Sequence, residues 1–333
     1  MTQAPLAAAG PARLQRGLTL VELLVSMTIG LVLMLAIVAA YLGSVNASSV
    51  ATAQGRMNED AQAALLVLSQ HIRMAGYNPK QPQYAATGPY VPPVGITDTS
   101  RDPVFDTSNW PIRGCDGTFS NIGTATSTSA LTCTTTTGTD SLAVRYEVDP
   151  YNTVKNTAGQ PTDCLGQALT ASSSSVNVWN TPTSTVVAKS VTYTVSESRF
   201  YIATPSGTTS PNLYCKGNGG AAQPLVENVE DLRISYGVAP STATTTMTVA
   251  GYLAASDLDT VVTTPAFANQ QDRWSKVATV RVCLIVRSEQ AVAPSADSAQ
   301  YYDCDGNLVT SPPDLRLRRA YSTTIVLRNR VAT

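Results

Sequence analysis

One unbroken apolar run, Leu18 to Tyr41, limits what this chain can become more than any other stretch. It holds 24 residues and a single charge, Glu22. At ~1.5 Å per residue, a helix of that length outspans a bilayer hydrocarbon core of ~30 Å. The segment before it, MTQAPLAAAGPARLQRG, carries Arg13 and Arg16 and no acidic residue. Basic residues flanking a span are held on the cytoplasmic side while the span enters the bilayer. The rest of the chain is therefore expected on the far side of the membrane from the leader.

Glu22 is the anomaly in this run. An ionisable group within a membrane segment is costly and is retained with a partner. Cleavage after Gly17 would create such a partner, the amine of Leu18. In a lateral assembly, Glu22 of one subunit pairs with the Leu18 amine of the next, and buried pairs of this kind act best as register devices. An ordinary secretory signal has its charges within the first few residues, a 7–15-residue apolar core and a small-residue cleavage site after it. This chain puts sixteen residues before Gly17, and its run is too long. A plain single-pass anchor fits the length but explains neither Glu22 nor the Gly17-Leu18-Thr19-Leu20 junction.

The stretch Arg16-Gly17-Leu18-Thr19-Leu20-Val21-Glu22-Leu23-Leu24 resembles the class III signal of type IV prepilins and pseudopilins. The resemblance implies that prepilin peptidase cuts between Gly17 and Leu18 and methylates the new N-terminus. Leu18 stands where the family more often has Phe, and apolar residues are accepted there. The motif implies a filament subunit without saying of which filament.

Loss of residues 1–17 takes two of the 22 basic residues, leaving 20 against 23 acidic ones, a net of −3. Nothing in this balance calls for nucleic acid. Low charge with abundant Thr, Ser and Gly suits exported β-rich proteins better than cytosolic enzymes. The six cysteines, Cys115, Cys133, Cys164, Cys215, Cys283 and Cys304, all lie beyond the apolar run. With no Cys-x-x-Cys and one His, zinc spacing is absent. An even count in an exported domain reads as three disulfides, for which six cysteines allow fifteen pairings.

Beyond Tyr41 the helix is expected to continue through 42–76, with Gly43 and Gly55 as local weak points. Met57, Ala61, Ala64, Leu65, Leu68, Ile72 and Ala75 form one apolar stripe at helical spacing, a face that packs on a globular domain. Gly76 and Pro79 end it. One helix of ~55 residues results, half in the membrane or filament core and half laid against a sheet. His71, on its second half, is read as solvated or capping. Residues 77–140, rich in Pro, Gly, Thr and Ser, with Pro92-Pro93, Asp102-Pro103 and a Cys115-to-Cys133 loop, are read as surface loop rather than core.

Strands follow. Asp140–Val148, Thr185–Val195, Ser198–Ala203, Asn212–Cys215, Leu232–Val238, Val277–Arg287 and Ser322–Arg330 alternate or run apolar. Hairpin-like spacing without further long amphipathic helices argues for antiparallel pairing rather than βαβ units. The expected class is α+β and type IV pilin-like: a leader over 1–17, a transmembrane or filament-core helix over 18–41, its amphipathic continuation over 42–76, and a β-rich domain with long disulfide-bonded loops over 77–333.

Several later segments resemble PilW-type minor pilins: Arg113-Gly114-Cys115-Asp116-Gly117, Asp163-Cys164-Leu165-Gly166, Leu213-Tyr214-Cys215, the run Leu225 to Leu232, Tyr236-Gly237, Trp274-Ser275-Lys276-Val277 and the run Thr324 to Asn329. The resemblance implies a low-abundance type IV pilus subunit that joins other minor pilins and the major pilin. Such subunits form a priming complex at the pilus tip, needed for assembly and hence for adhesion or twitching motility, and the family also implies contact with a large tip adhesin. By the same resemblance Cys164 pairs with Cys215; by proximity in sequence Cys115 pairs with Cys133 and Cys283 with Cys304. A minor pseudopilin of a type II secretion system shares the N-terminus and is the alternative.

Other chemistry is thin, and neither catalytic residues nor a cofactor is assigned. Asp303-Cys304-Asp305-Gly306-Asn307 has the look of a calcium-loop fragment but lacks the alternating acidic ligands and terminal Glu, so it reads as a turn. No nucleophile elbow, phosphate-binding loop or zinc-spaced His occurs, which leaves an anchored periplasmic enzyme as the weakest reading. Arg316, Arg318 and Arg319 precede the last strand. Arg316 and Arg318 share a face by alternation, and a solvated edge is the expected role, with a partner or DNA contact as the minor one.

Overall fold

A computed structural model describes residues 19–78, 109–134, 138–149, 151–180, 185–242, 248–262 and 266–330. The leader, Gly17, Leu18, Pro79, Pro92, Pro93 and Pro103 lie outside them. The chain divides into two units, Met1–Ala51 and Thr52–Thr333. Helix α1, Leu20–Met74, gives its first part to one and its second to the other.

In the first unit every described helical residue from Leu20 to Ser49 is exposed. Leu20, Met27, Leu31, Met34, Ile37 and Tyr41 all show more than half their surface. The run is long and apolar enough to cross a membrane.

In the second unit, α1 buries Met57, Ala61, Ala64, Leu68, His71 and Ile72. Small residues alternate with large ones, so the helix backbone approaches the sheets closely while Leu68 and Ile72 fill the space between. Fully burying such a side chain contributes roughly 1.5–3 kcal/mol. The helix stops where the sequence changes its backbone preference: Gly76 takes φ 73°, the left-handed conformation suited to glycine after a helix. Its N–H then donates to the Arg145 carbonyl at 3.0 Å, tying the helix end to a strand.

Two antiparallel sheets replace the single one expected. The first has the order β1 (Ile112–Cys115), β2 (Ser141–Glu147), β4 (Thr185–Ala203), β5 (Asn212–Lys216), β6 (Gln223–Glu227), with β3 (Ala171–Asn180) pairing β4 along its outer half. The second runs β12 (Arg316–Val326), β9 (Val277–Ala291), β7 (Val229–Val238), β8 (Gly251–Leu253). A short pair, β10 (Tyr301–Tyr302) and β11 (Leu308–Val309), lies before β12, and two one-turn helices, α2 (Ala255–Thr260) and α3 (Gln270–Ser275), lie between β8 and β9. Every ladder among the described residues is antiparallel.

The chain passes from one sheet to the other at a single residue, Asn228, between β6 and β7. It holds φ 60°, a conformation that Asn tolerates better than other residues with a side chain. Its Oδ1 accepts from Ser210 Oγ at 2.7 Å. Its N–H donates to Asn212 Oδ1 at 3.3 Å, and its carbonyl accepts the Arg287 N–H at 3.0 Å.

Three expectations need correction. Thr185–Val195 and Ser198–Ala203 are one strand, because Ser196 and Glu197 do not interrupt it: Glu197 is buried and its carboxylate takes Arg145 at 3.0 Å and Arg199 at 2.6 Å. Polar residues in mid-strand imitate a loop in sequence until their partners are known. The region 77–140 is not all surface. Trp110 and Ile112 enter the main core, and Cys115, Phe119 and Leu131 form a second cluster with Ala143 of β2. Sparse apolar residues among turn formers gave no periodic signal there. Finally, β3 was not foreseen, since a run of four serines carries no apolar alternation.

Candidate functional site

The chemistry that stands out is at the start of α1. Leu20 is the first helical residue, so Thr19 is its N-cap and Glu22 the third helical position. The Glu22 N–H donates to Thr19 Oγ1 at 3.3 Å, and Glu22 Oε2 accepts from the Thr19 N–H at 3.0 Å and from Thr19 Oγ1 at 2.9 Å. This reciprocal pair is a capping box, which satisfies two of the orphan donors of a helix start. It also gives the carboxylate two hydrogen bonds within its own chain, at the helix end whose dipole favours negative charge. The run Thr19-Leu20-Val21-Glu22 is the Thr-x-x-Glu signature of such a box, a local signal present in the sequence itself.

In the second unit, the residues singled out in the sequence hold the domain together. Cys115 is bonded to Cys133, Cys164 to Cys215 and Cys283 to Cys304, with Cα separations of 5.5, 6.5 and 5.8 Å. Arg113 stacks over Trp274 at 5.0 Å, and its Nη1 donates to Asp259 Oδ1 at 2.7 Å. Trp274 Nε1 donates to the same oxygen at 2.7 Å. The Arg113-Gly114-Cys115 and Trp274-Ser275 segments thus meet through Asp259 of α2. Asp116 caps α2 from outside, accepting the Ala255 N–H at 2.8 Å and the Ser256 N–H at 2.9 Å. A Cβ on Gly114 would lie 1.8 Å from the Tyr236 hydroxyl, so only glycine admits that ring.

Two readings of single residues change. His71 is neither solvated nor capping. It is buried between Tyr146, whose hydroxyl lies 3.2 Å from Nδ1, and Phe200, with ring centroids 5.3 Å apart. Burial pushes its pKa down to about 4, so the imidazole is neutral in the fold. Its spacing of three residues from Leu68 and seven from Ala64 puts it on the buried stripe. Arg316 and Arg318 do not form a free basic edge. Arg318 is buried, with Glu230 at 2.7 Å and Asp314 at 2.7 Å, and Arg316 reaches Asp314 at 3.3 Å. The Asp303–Asn307 segment is a tight turn: Asp303 Oδ1 accepts the N–H groups of Asp305 and Asn307, and Gly306 takes φ 83°. Among the described residues no group of acidic, His or Cys side chains is placed to hold a metal.

Residues 199–329 match the family model of Type IV Pilus-assembly protein W, and residues 12–38 match the Prokaryotic N-terminal methylation motif. The two matches support a type IV pilus-associated, pilin-like protein. The first match opens within β4 and takes in β5, β6 and the whole second sheet; the second spans the Gly17–Leu18 junction, the capping box and most of the apolar run. The two matches indicate a structural protein, and the N-terminal signal with its long apolar helix suggests membrane anchoring. No curated protein and no solved structure matches the chain.

Proposed function

We propose that this pilin-like chain is a minor pilin, a structural subunit of the complex that primes the type IV pilus and stays at its tip. The observation that carries this reading is the joining, in one chain, of a capped carboxylate on a fully exposed apolar helix to a domain matched by a pilus-assembly model. Prepilin peptidase cuts after Gly17, removing the leader 1–17, and methylates Leu18. The helix over 18–41 waits in the inner membrane with the domain from residue 77 onward in the periplasm, and the continuation over 42–76 couples the two. Filament growth draws the helix into a core shared with other minor pilins and the major pilin. There Glu22 exchanges its Thr19 contacts for the Leu18 amine of a neighbour, and the domain faces the tip adhesin.

The family matches indicate a structural protein, which supports a scaffolding role. The N-terminal signal alone suits a type II secretion pseudopilin equally; the match over 199–329 favours the pilus. The test begins with the mass of the native N-terminus, expected to open at N-methylated Leu18. Glu22→Ala is then expected to be cleaved normally and to lose co-purification with partner pilins. Unchanged co-purification, or an intact Met1, removes the basis of the proposal.

A further inference from the structure

Strand β12 forms one edge of the second sheet, where β9 is its ladder partner. In an antiparallel ladder the main-chain groups of successive residues point alternately toward the partner and away from it. Leu327, one step past the Val326–Thr279 pair, donates its N–H to the Ala278 carbonyl at 2.8 Å. Arg287, opposite Arg318, turns its N–H the other way, to the Asn228 carbonyl on the β7 side at 3.0 Å. Both observations set the same parity. The N–H and C=O groups of Arg318, Ala320, Ser322, Thr324 and Val326 therefore point away from β9. Among the described residues, those of Ala320, Ser322 and Thr324 meet no hydrogen-bond partner.

This edge lacks the devices that keep other edges from pairing. β8, at the opposite end of the sheet, is three residues long, and β6, an edge of the first sheet, carries Pro224 and a register shift. The run Ala320 to Val326 reads Ala-Tyr-Ser-Thr-Thr-Ile-Val, with strong β-formers and no charge, Pro or Gly, and its register is regular. Ser322, Thr324 and Val326 are exposed. Unpaired groups on such a strand are a template for another chain.

At its N-terminal end the edge lies in a slot. A groove of about 420 Å³ has residues 318–321 along it, with Gln54 and Met57 of α1 and the segment Ser298 to Tyr302 among its walls. Arg319 is exposed there. Glu230 and Asp314 are engaged by Arg318 and Arg316, and among the described residues no carboxylate pairs with Arg319.

We infer that the Arg318–Val326 edge of β12 receives an extended segment of a different pilin, which adds a strand to the second sheet and sets an acidic side chain against Arg319. Strand addition draws affinity from main-chain hydrogen bonds and specificity from side-chain sites along the groove. β12 holds no acidic residue, so pairing the edges of two copies would leave Arg319 uncompensated. The inference rests on the minor-pilin reading above and adds to it the surface that a neighbouring pilin recognises.

The test uses the full chain, tagged and expressed in its native host, with membranes solubilised in detergent. A benzophenone amino acid placed at Ser322 is expected to cross-link a different pilin, with mass spectrometry of the product locating an acidic residue beside the linked segment. Thr324→Pro removes an outward N–H that the fold does not use and is expected to lower capture of that pilin about tenfold. Ser322→Ala, which leaves the main chain intact, is expected to capture as wild type does. Arg319→Glu is expected to lower capture about tenfold, and Arg319→Lys to retain most of it. Tryptophan fluorescence and the urea midpoint check each fold; should the proline distort the strand, the exposed Arg319 pair still decides. A cross-link to a second copy or to a protein that is not a pilin, or no cross-link, overturns the inference. So does wild-type capture by Thr324→Pro or by Arg319→Glu. If those variants capture normally while Glu22→Ala does not, the edge contact fails and the minor-pilin reading stands; if wild type captures no pilin, that reading fails as well.

Discussion

The protein's response to acid should be governed by two buried groups whose effects oppose each other. His71 has a folded pKa of about 4 against an ordinary 6.5. A histidine held neutral stabilises the fold fully above the unfolded value, and that stability is lost as pH falls from 6.5 toward 4. At 1.36 kcal/mol per unit the loss comes to about 3 kcal/mol. Asp140 behaves inversely. Burial raises its pKa to about 7 from 3.8, against the lowering effect of the Ile234 N–H that its Oδ2 accepts at 2.6 Å. A carboxyl held protonated stabilises the fold fully below 3.8, and that stability is lost as pH rises from 3.8 to 7, by about 4 kcal/mol. Between pH 4 and 6.5, folding thus releases a proton at His71 and takes one up at Asp140. Their contributions to the pH slope nearly cancel.

The perturbation that exposes this balance is Asp140→Asn, which keeps an acceptor for the Ile234 N–H and removes the titration. Urea unfolding of the full chain in micelles, followed by tryptophan fluorescence at half-unit steps from pH 7 to 4, gives the slope. The variant is expected to lose about 3 kcal/mol more than wild type over that range. His71→Gln is expected to shift the slope the other way, gaining stability relative to wild type as pH falls. Identical slopes for wild type and Asp140→Asn would refute the reasoning, whatever the absolute stabilities.

Other consequences are more local. Gly114→Ala drives a methyl into the Tyr236 hydroxyl and should cost roughly 1–3 kcal/mol in chemical unfolding, as overpacking does; Tyr236→Phe should recover part of it. Asn228→Ala strains a left-handed residue and removes the Ser210 contact, so a loss of about 1–3 kcal/mol is expected. Asn228→Gly, read in the same assay, should lose less than the alanine variant. Thr19→Val removes the hydroxyl of the capping box, worth about 1 kcal/mol at a helix start. Hydrogen exchange in micelles should show faster exchange at the Glu22 amide with the domain amides unchanged.

How much of this was legible in the chain follows from the range of the forces involved. The apolar run, the stripe from Met57 to Ala75 and the stop at Gly76 depend on neighbours three or four residues away, so the sequence alone determined one long helix with an exposed half and a buried half. The capping box was equally local and readable at Thr19 and Glu22. The antiparallel β-rich class also came from short-range alternation. What only the tertiary structure decided involved partners far along the chain. Glu197 is strand rather than break because Arg145, 52 residues away, neutralises it. His71 is core because Tyr146 and Phe200 close over it, and Arg318 is buried because Glu230 lies 88 residues earlier. The division into two sheets turns on one left-handed asparagine whose three hydrogen bonds are all non-local. A sequence displays the periodicity that makes an element, but a buried charge or a corner reads as loop until the distant group that satisfies it is in place.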